Sequence, residues 1–328
     1  MSDTAFPGRW VQVARLLSRR LAVAVPVTLV LTALVFALAS VAPFNPLATY
    51  LGSSYTHTNP ELREQLSSQL GFDKPWAQVW TQWISHALRG DLGVSISTSQ
   101  PVTSVLLERI PYTLLMTSVG LLLAIVIALI LALLAATYRY GFIDRVVQAI
   151  SHLAQSIPVF VIALVAITLI ALPLGWPTSG VAATGMDPTM TSVATHLLLP
   201  ATVLAISLLP WLLLNLRTSL FEALDTDAVL AARGRGSRDI LLTEALPQAL
   251  LPFITVVGSR LGELISGALL IETIFSWPGI ASAVVGSAVA GDFALLAAVT
   301  VCSALAVFAG NALADAAYLL IDPRVTHV

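Results

Sequence analysis

The sequence is short of charge, of lysine and of cysteine, and each shortage closes off a class of function. Only 10% of its 328 residues are charged, against about 25% in a typical soluble domain. With 57% hydrophobic residues and a mean hydropathy of +0.88, the chain would not stay dissolved in water as a monomer. A single cysteine, Cys302, inside an apolar run, excludes an intrachain disulfide and a cysteine-based metal site. The single lysine, Lys74, stands in Gly-Phe-Asp-Lys-Pro, so no Walker A loop is present, because there a lysine after glycine must reach the β- and γ-phosphates. Any ATP that serves this protein is therefore held by another chain. A net charge of −2, with arginines scattered at the ends of apolar runs, argues against nucleic acid as a partner. No His, Asp or Glu cluster has metal-ligand spacing, and no nucleophile has a base at a motif spacing. No catalytic, metal or cofactor residue is assigned, and the lone His152 and His196 read as interfacial residues.

What the sequence does have is long apolar runs. A helix needs about 20 mostly apolar residues to cross about 30 Å of hydrocarbon. Such runs lie near 21–41, 113–136, 153–173, 197–214, 248–271 and 293–320. They predict an all-α integral membrane protein of about six spans with both termini on one side. Arg15, Arg19 and Arg20 ahead of the first run imitate a signal peptide, but the run lacks a clear small-residue cleavage site and reads as a retained span. Short cytoplasmic loops are enriched in Lys and Arg. Arg9, Arg15, Arg19, Arg20, Arg139, Arg145, Arg217, Arg233, Arg235, Arg238 and Arg324 fall on one side, against Arg63, Lys74, Arg89 and Arg109 on the other. The expectation is a multi-pass chain in the cell membrane, with residues 1–20, 217–247 and 321–328 in the cytoplasm and 42–112 outside. Within that external segment, Asn59-Pro60-Glu61 marks a helix start, and Leu62, Leu66 and Leu70 recur every four residues. Together with Trp76 and Trp83, this segment is expected to pack on the outer ends of the spans or on the membrane surface.

The longest cytoplasmic segment follows the fourth run. Asp225 or Asp227 can cap a short helix through Ala232, and the small Ala231 and Ala232 let it lie close to another backbone. Gly234 and Gly236 stop it, Ser237 and Asp239 restart a helix toward the next span, and Arg233, Arg235 and Arg238 flank it.

Leu230-Ala231-Ala232, then Gly236, then Leu246 resemble the EAA loop of ABC importer permeases, and residues 227–252 are similar to the first-permease subunit of the dipeptide/oligopeptide/nickel branch. Leu230 stands in place of the motif's glutamate, and Ala228 where an aromatic is usual. Five further segments agree in order along nearly the whole chain: Pro43 to Pro46 (with Phe44 and Asn45 as departures), Leu88 to Ser95, Glu108 to Leu114, Ile271 to Ile280, and Asp322 to Arg324. The resemblance implies the type I ABC importer transmembrane fold and a non-enzymatic permease subunit. It further implies a path for short peptides delivered by an extracytoplasmic binding lipoprotein, with nickel, haem or another small solute as alternatives. The implied partners are a second homologous permease in a heterodimer and two ATP-binding subunits that carry ATP and magnesium. The implied coupling residues are Asp227, Leu230, Ala231, Ala232, Arg233, Arg235, Gly236 and Ser237. The rival readings are an ion-driven secondary transporter, in which ionisable residues usually spread over several spans, and a membrane scaffold.

Ionisable residues inside the membrane cost at least about 2.5–3.5 kcal/mol and must face protein, a partner charge or water. Arg260 and Glu263, three apart in the fifth run, either neutralise each other or line a path. Gly258 and Gly262 beside them allow close helix approach. Glu272 precedes Ser276-Trp277-Pro278-Gly279, which reads as a break and re-entrant turn that Glu272 caps. Arg260, Gly262, Glu263 and Glu272 are the candidate path residues. Asn311 and Asp315, one turn apart in the sixth run, are expected to make a helix–helix hydrogen bond.

Overall fold

The computed structural model describes residues 9–41, 46–70, 73–259 and 261–321. Among these the chain is helical, with one isolated bridge between Val94 and Pro101. Five helices are long and apolar enough to cross a membrane: Ala14–Val41, Val102–Thr137, Met190–Leu224, Leu241–Gly258 and Phe293–Ala312. A bent pair, Phe142–Gln155 and Val159–Leu174, makes a sixth if its two arms count as one span. This is the all-α membrane architecture expected from the hydropathy.

The boundaries depart from the apolar runs for physical reasons. The third run was expected to start at 153, but the chain turns by 101° between Gln155 and Val159. Pro158 has no N–H to donate, and it pushes Ile157 out of the helical region. Ahead of the break lies an unexpected helix, Phe142–Gln155, whose polar residues keep it out of a hydropathy window. The second run begins at 113, yet its helix begins at Val102. The fourth helix extends from Met190 to Leu224 around the expected 197–214. Hydropathy marks the stretch that suits hydrocarbon; a helix continues past it wherever backbone bonds and caps allow. Thr189 and Ser192 supply such a start: Ser192 N donates to Thr189 Oγ1 at 3.2 Å and Thr189 N to Ser192 Oγ at 2.9 Å. The fifth run corresponds to Leu246–Ser259 and Leu261–Ile274, entered through a wide turn at Leu241–Ala245. A short apolar helix, Ile280–Ala290, was not expected.

The chain divides into two compact units. One comprises residues 1–20, 114–277 and 307–328. Its core centres on helix Met190–Leu224, which contributes Leu212, Leu213, Leu216, Leu220 and Phe221 and packs on helices Leu246–Ser259 and Phe142–Gln155. Gly120, Ala124, Ala128, Ala132 and Ala136 follow one another every four residues along helix Val102–Thr137, and all four alanines are buried in this core. Side chains this small allow helix backbones to approach closely. A Cβ on Gly120 would stand 2.8 Å from Leu204 Cδ2. Arg20 pairs with Asp315 in the same unit, so the helix–helix partner expected of Asp315 is an arginine.

The other unit comprises residues 21–113 and 278–306. Helix Pro60–Leu70 starts where Asn59-Pro60-Glu61 placed it, with Asn59 Oδ1 accepting from Glu61 N at 3.3 Å. Trp80 Nε1 donates to Thr32 Oγ1 at 3.2 Å, and Trp83 lies 5.8 Å from Phe36 between ring centres, so helix Trp76–Ala87 packs on the helix that holds Thr32 and Phe36. Buried Asp292 accepts from Leu295 N, Ser95 Oγ, Ser97 N and Ser97 Oγ at 3.2, 2.6, 3.1 and 2.9 Å. One carboxylate thus caps helix Phe293–Ile321 and anchors the turn at 95–98.

Candidate coupling segment

Helix Met190–Leu224 ends at Asp225, and after Thr226 the chain forms helix Asp227–Gly234. Thr226, in extended backbone, is the N-cap residue; Asp225 and Asp227, the caps expected from sequence, do not fill that position. Asp225 is engaged elsewhere. The helix runs through Gly234, which is inside it and does not stop it. Gly236 does: at φ +75° it adopts the left-handed conformation. Gly236 N donates to Arg233 O at 3.0 Å and Ser237 N to Ala232 O at 3.1 Å, a Schellman closure. Asp239, at φ +56°, makes a second left-handed turn before the next helix.

The short helix has two unlike faces. Val229 and Ala232, three apart, are fully buried in their unit. Asp227, Ala228, Leu230, Ala231, Arg233 and Arg235 are exposed, Leu230 to 52%. Of the residues expected to couple, Ala232 therefore seats the helix, Gly236 and Ser237 close it, and Asp227, Leu230, Ala231, Arg233 and Arg235 form an outward surface. That surface sets Ala228, Leu230 and Ala231 among the charges of Asp227, Arg233 and Arg235.

Sequence reasoning passed over the mounting of this helix. Arg139, in the turn between helices Val102–Thr137 and Phe142–Gln155, donates from Nη1 and Nη2 to Asp225 Oδ1 and Oδ2 at 2.7 and 2.5 Å. Its hydrogen bonds, with its charge and that of Arg233, hold the Asp225 carboxyl below the usual carboxylate range, and Asp225 in turn raises the Arg139 guanidinium further. Arg217 donates from Nε and Nη2 to Asp144 at 2.5 and 2.8 Å, with the Asp144 side chain 1% exposed. Both guanidinium carbons sit near the Phe221 ring centre, Arg217 at 4.1 Å and Arg139 at 4.8 Å. Arg217, Phe221 and Asp225 are four apart and share one helix face; that spacing is the signal the sequence offers for the cluster.

Of the candidate path residues, Glu272 alone has a described side chain. Arg260 lies outside the described residues, and Gly262 and Glu263 belong to helix Leu261–Ile274 with side chains that also lie outside them. Glu272 is fully buried, as are Phe275 and Trp277. Trp277 N donates to Glu272 O at 2.8 Å and Gly180 N to Phe275 O at 2.9 Å, closing the break at Ser276, whose φ is +48°. Among the described residues no three His, Cys, Asp or Glu side chains gather as metal ligands.

Comparison with known proteins follows the same outline. The family described as "Binding-protein-dependent transport system inner membrane component" matches residues 124–327, and its N-terminal counterpart matches 13–117. A putative peptide permease of Brucella suis is 32% identical over 310 residues, covering 93% of this chain and 97% of the other. The oligopeptide transport system permease protein AppB of Bacillus subtilis is 32% identical over 313 residues, covering 94% and 98%. A probable peptide ABC transporter permease of Sinorhizobium fredii is 30% identical over 312 residues, covering 94% and 98%.

Proposed function

The chain belongs to the inner-membrane components of binding-protein-dependent transport systems, and on that premise we propose that it is the first-permease subunit of an ATP-driven importer of short peptides. The observation that carries this reading is helix Asp227–Gly234, buried through Val229 and Ala232 and open through Leu230 and Ala231. The relatives' names supply the substrate class, and family membership disfavours a self-sufficient ion-driven transporter. In this reading the chain sits in the cell membrane with its termini and residues 217–247 on the cytoplasmic side, which the arginine balance supports. It pairs with a second homologous permease. Two further subunits bind ATP and magnesium, and a binding lipoprotein delivers peptide from outside.

In this reading ATP-driven closure of the ATP-binding subunits displaces helix 227–234. Helices 190–224 and 246–259, joined to its two ends, tilt and turn the cavity from one side of the membrane to the other. Residues 260–263 of the fifth span border the path in this reading, where Glu263 and Arg260 meet the charged ends of a peptide. Purification of tagged chain from its native membrane in mild detergent, with mass spectrometry, tests the assembly. Recovery of an ATPase, a second permease and a binding lipoprotein is expected; recovery of the chain alone, with ion-driven transport in liposomes, would overturn it. Replacing Ala231 and Gly236 with glutamate tests the docking face: ATP hydrolysis should separate from uptake, and unchanged uptake rules the dock out.

A further inference from the structure

Helix 227–234 meets helix 190–224 at a joint of two residues, Asp225 and Thr226. Four backbone dihedrals there would let the short helix swing, and a swinging helix would dissipate any push applied to it. The structure closes that freedom from two sides. Thr226 Oγ1 donates to Ala223 O at 2.8 Å and lies 3.3 Å from Gln248 Oε1 of helix 246–259. On the other side Arg139 holds both oxygens of Asp225, and its Nη2 also reaches Phe221 O at 3.5 Å.

The turn that presents Arg139 is itself fixed. Tyr140 has φ +60°, a conformation that a tyrosine keeps only where its surroundings impose it. Its ring meets Phe221 edge-on at 5.5 Å, and its hydroxyl accepts from Arg139 Nη2 at 3.1 Å. A Cβ on Gly141 would stand 2.8 Å from Tyr138 O, so the turn is cut for glycine. The reverse pair, Arg217 to Asp144, ties the same two segments with charges exchanged.

We propose that Arg139 is the positioning residue that makes helix 227–234 and the turn 137–144 one rigid body. A displacement of the short helix then reaches helices 102–137 and 142–155 as well as 190–224. The proposal rests on the reading of helix 227–234 as the ATPase dock.

The test uses the complete transporter in liposomes, with Cys302→Ser and nitroxide labels on the exposed Phe142→Cys and Ala228→Cys, and tritiated tri-alanine as cargo. A narrow distance distribution, unchanged by ATP, is expected in this background. Arg139→Gln should broaden it and raise the ATP hydrolysed per peptide imported about tenfold. The exchange Arg139→Asp with Asp225→Arg should restore both. An unchanged width in Arg139→Gln, or hydrolysis and import that fall together at constant width, overturns the proposal. If Arg139→Gln does not assemble, Asp225→Asn, which keeps the shape and removes the charge, is measured by the same width; if tri-alanine is not carried, the width decides. A crosslinker on Leu230→Cys examines the dock independently: failure to reach the ATP-binding subunit while the width result holds would reject the dock and leave the rigid body standing.

Discussion

Arg139 and Asp225, 86 residues apart in sequence, meet through two hydrogen bonds of 2.7 and 2.5 Å at the joint where helix 190–224 gives way to helix 227–234. The pair is partly exposed, Asp225 to 64%, so its value is geometric more than energetic. Asp225 titrates below its unfolded value. A depressed carboxyl contributes stability above its unfolded pKa of about 3.9 and loses it as pH falls through the lower folded value. The melting temperature of Asp225→Asn should therefore lie below that of the parent at pH 5–8, and the gap should begin to close below about pH 4 and vanish once pH passes the lower folded value. A constant difference down to pH 3 would remove the pair as the cause.

Asp144 and Arg217 form the more enclosed pair, with side-chain exposures of 1% and 14%. Removing one partner leaves a buried charge uncompensated. Asp144→Ala should destabilise the chain in detergent by about 3–5 kcal/mol, and adding Arg217→Leu should recover part of that loss. Thermal melts of the single and double variants decide it; a double variant worse than the single would refute the pairing.

Adjacent alanines on helix 227–234 should behave in opposite ways. Ala232 is fully buried and Ala231 is exposed. Ala232→Leu should cost about 1–3 kcal/mol by overpacking, whereas Ala231→Leu should change stability by less than about 0.5 kcal/mol and, on the proposed function, alter only retention of an ATP-binding subunit. Melts and pull-downs from the same preparations separate the two effects.

Asp292 receives four hydrogen bonds while fully buried. Asp292→Ala removes the cap of helix 293–321 and strands the Ser95 and Ser97 donors, at a cost of about 2–4 kcal/mol. Limited proteolysis should then cut first within residues 93–100. Protection equal to the parent would show that this turn is held by other means.

The sequence made legible whatever depends on local chemistry. Gly236 was readable as a stop because only glycine turns left-handed at little cost, and Pro60 was readable as a start because the first helical N–H has no partner to lose. Apolar runs located the spans, since hydrocarbon demands them. Partners distant in the chain were not legible. Arg139 and Arg217 looked like arginines that set orientation, because nothing in a linear pattern says which carboxylate a guanidinium will find. The break at Pro158 was obscured by the apolar run that follows it, and helix 142–155 by a polar face turned inward at Asp144 and Ser151.

Helix 227–234 has eight residues, well under the length of about 12–15 at which a helix in water begins to hold its own shape. Its form is lent to it by Val229 and Ala232 in the core beneath and by the Schellman closure at its end. A free peptide with the sequence of residues 225–237 would be a coil, and as a competitor for the ATP-binding subunit proposed to meet this surface it would have to fold before it could bind. A decoy aimed at that contact needs a staple or a scaffold to replace what the rest of the chain provides.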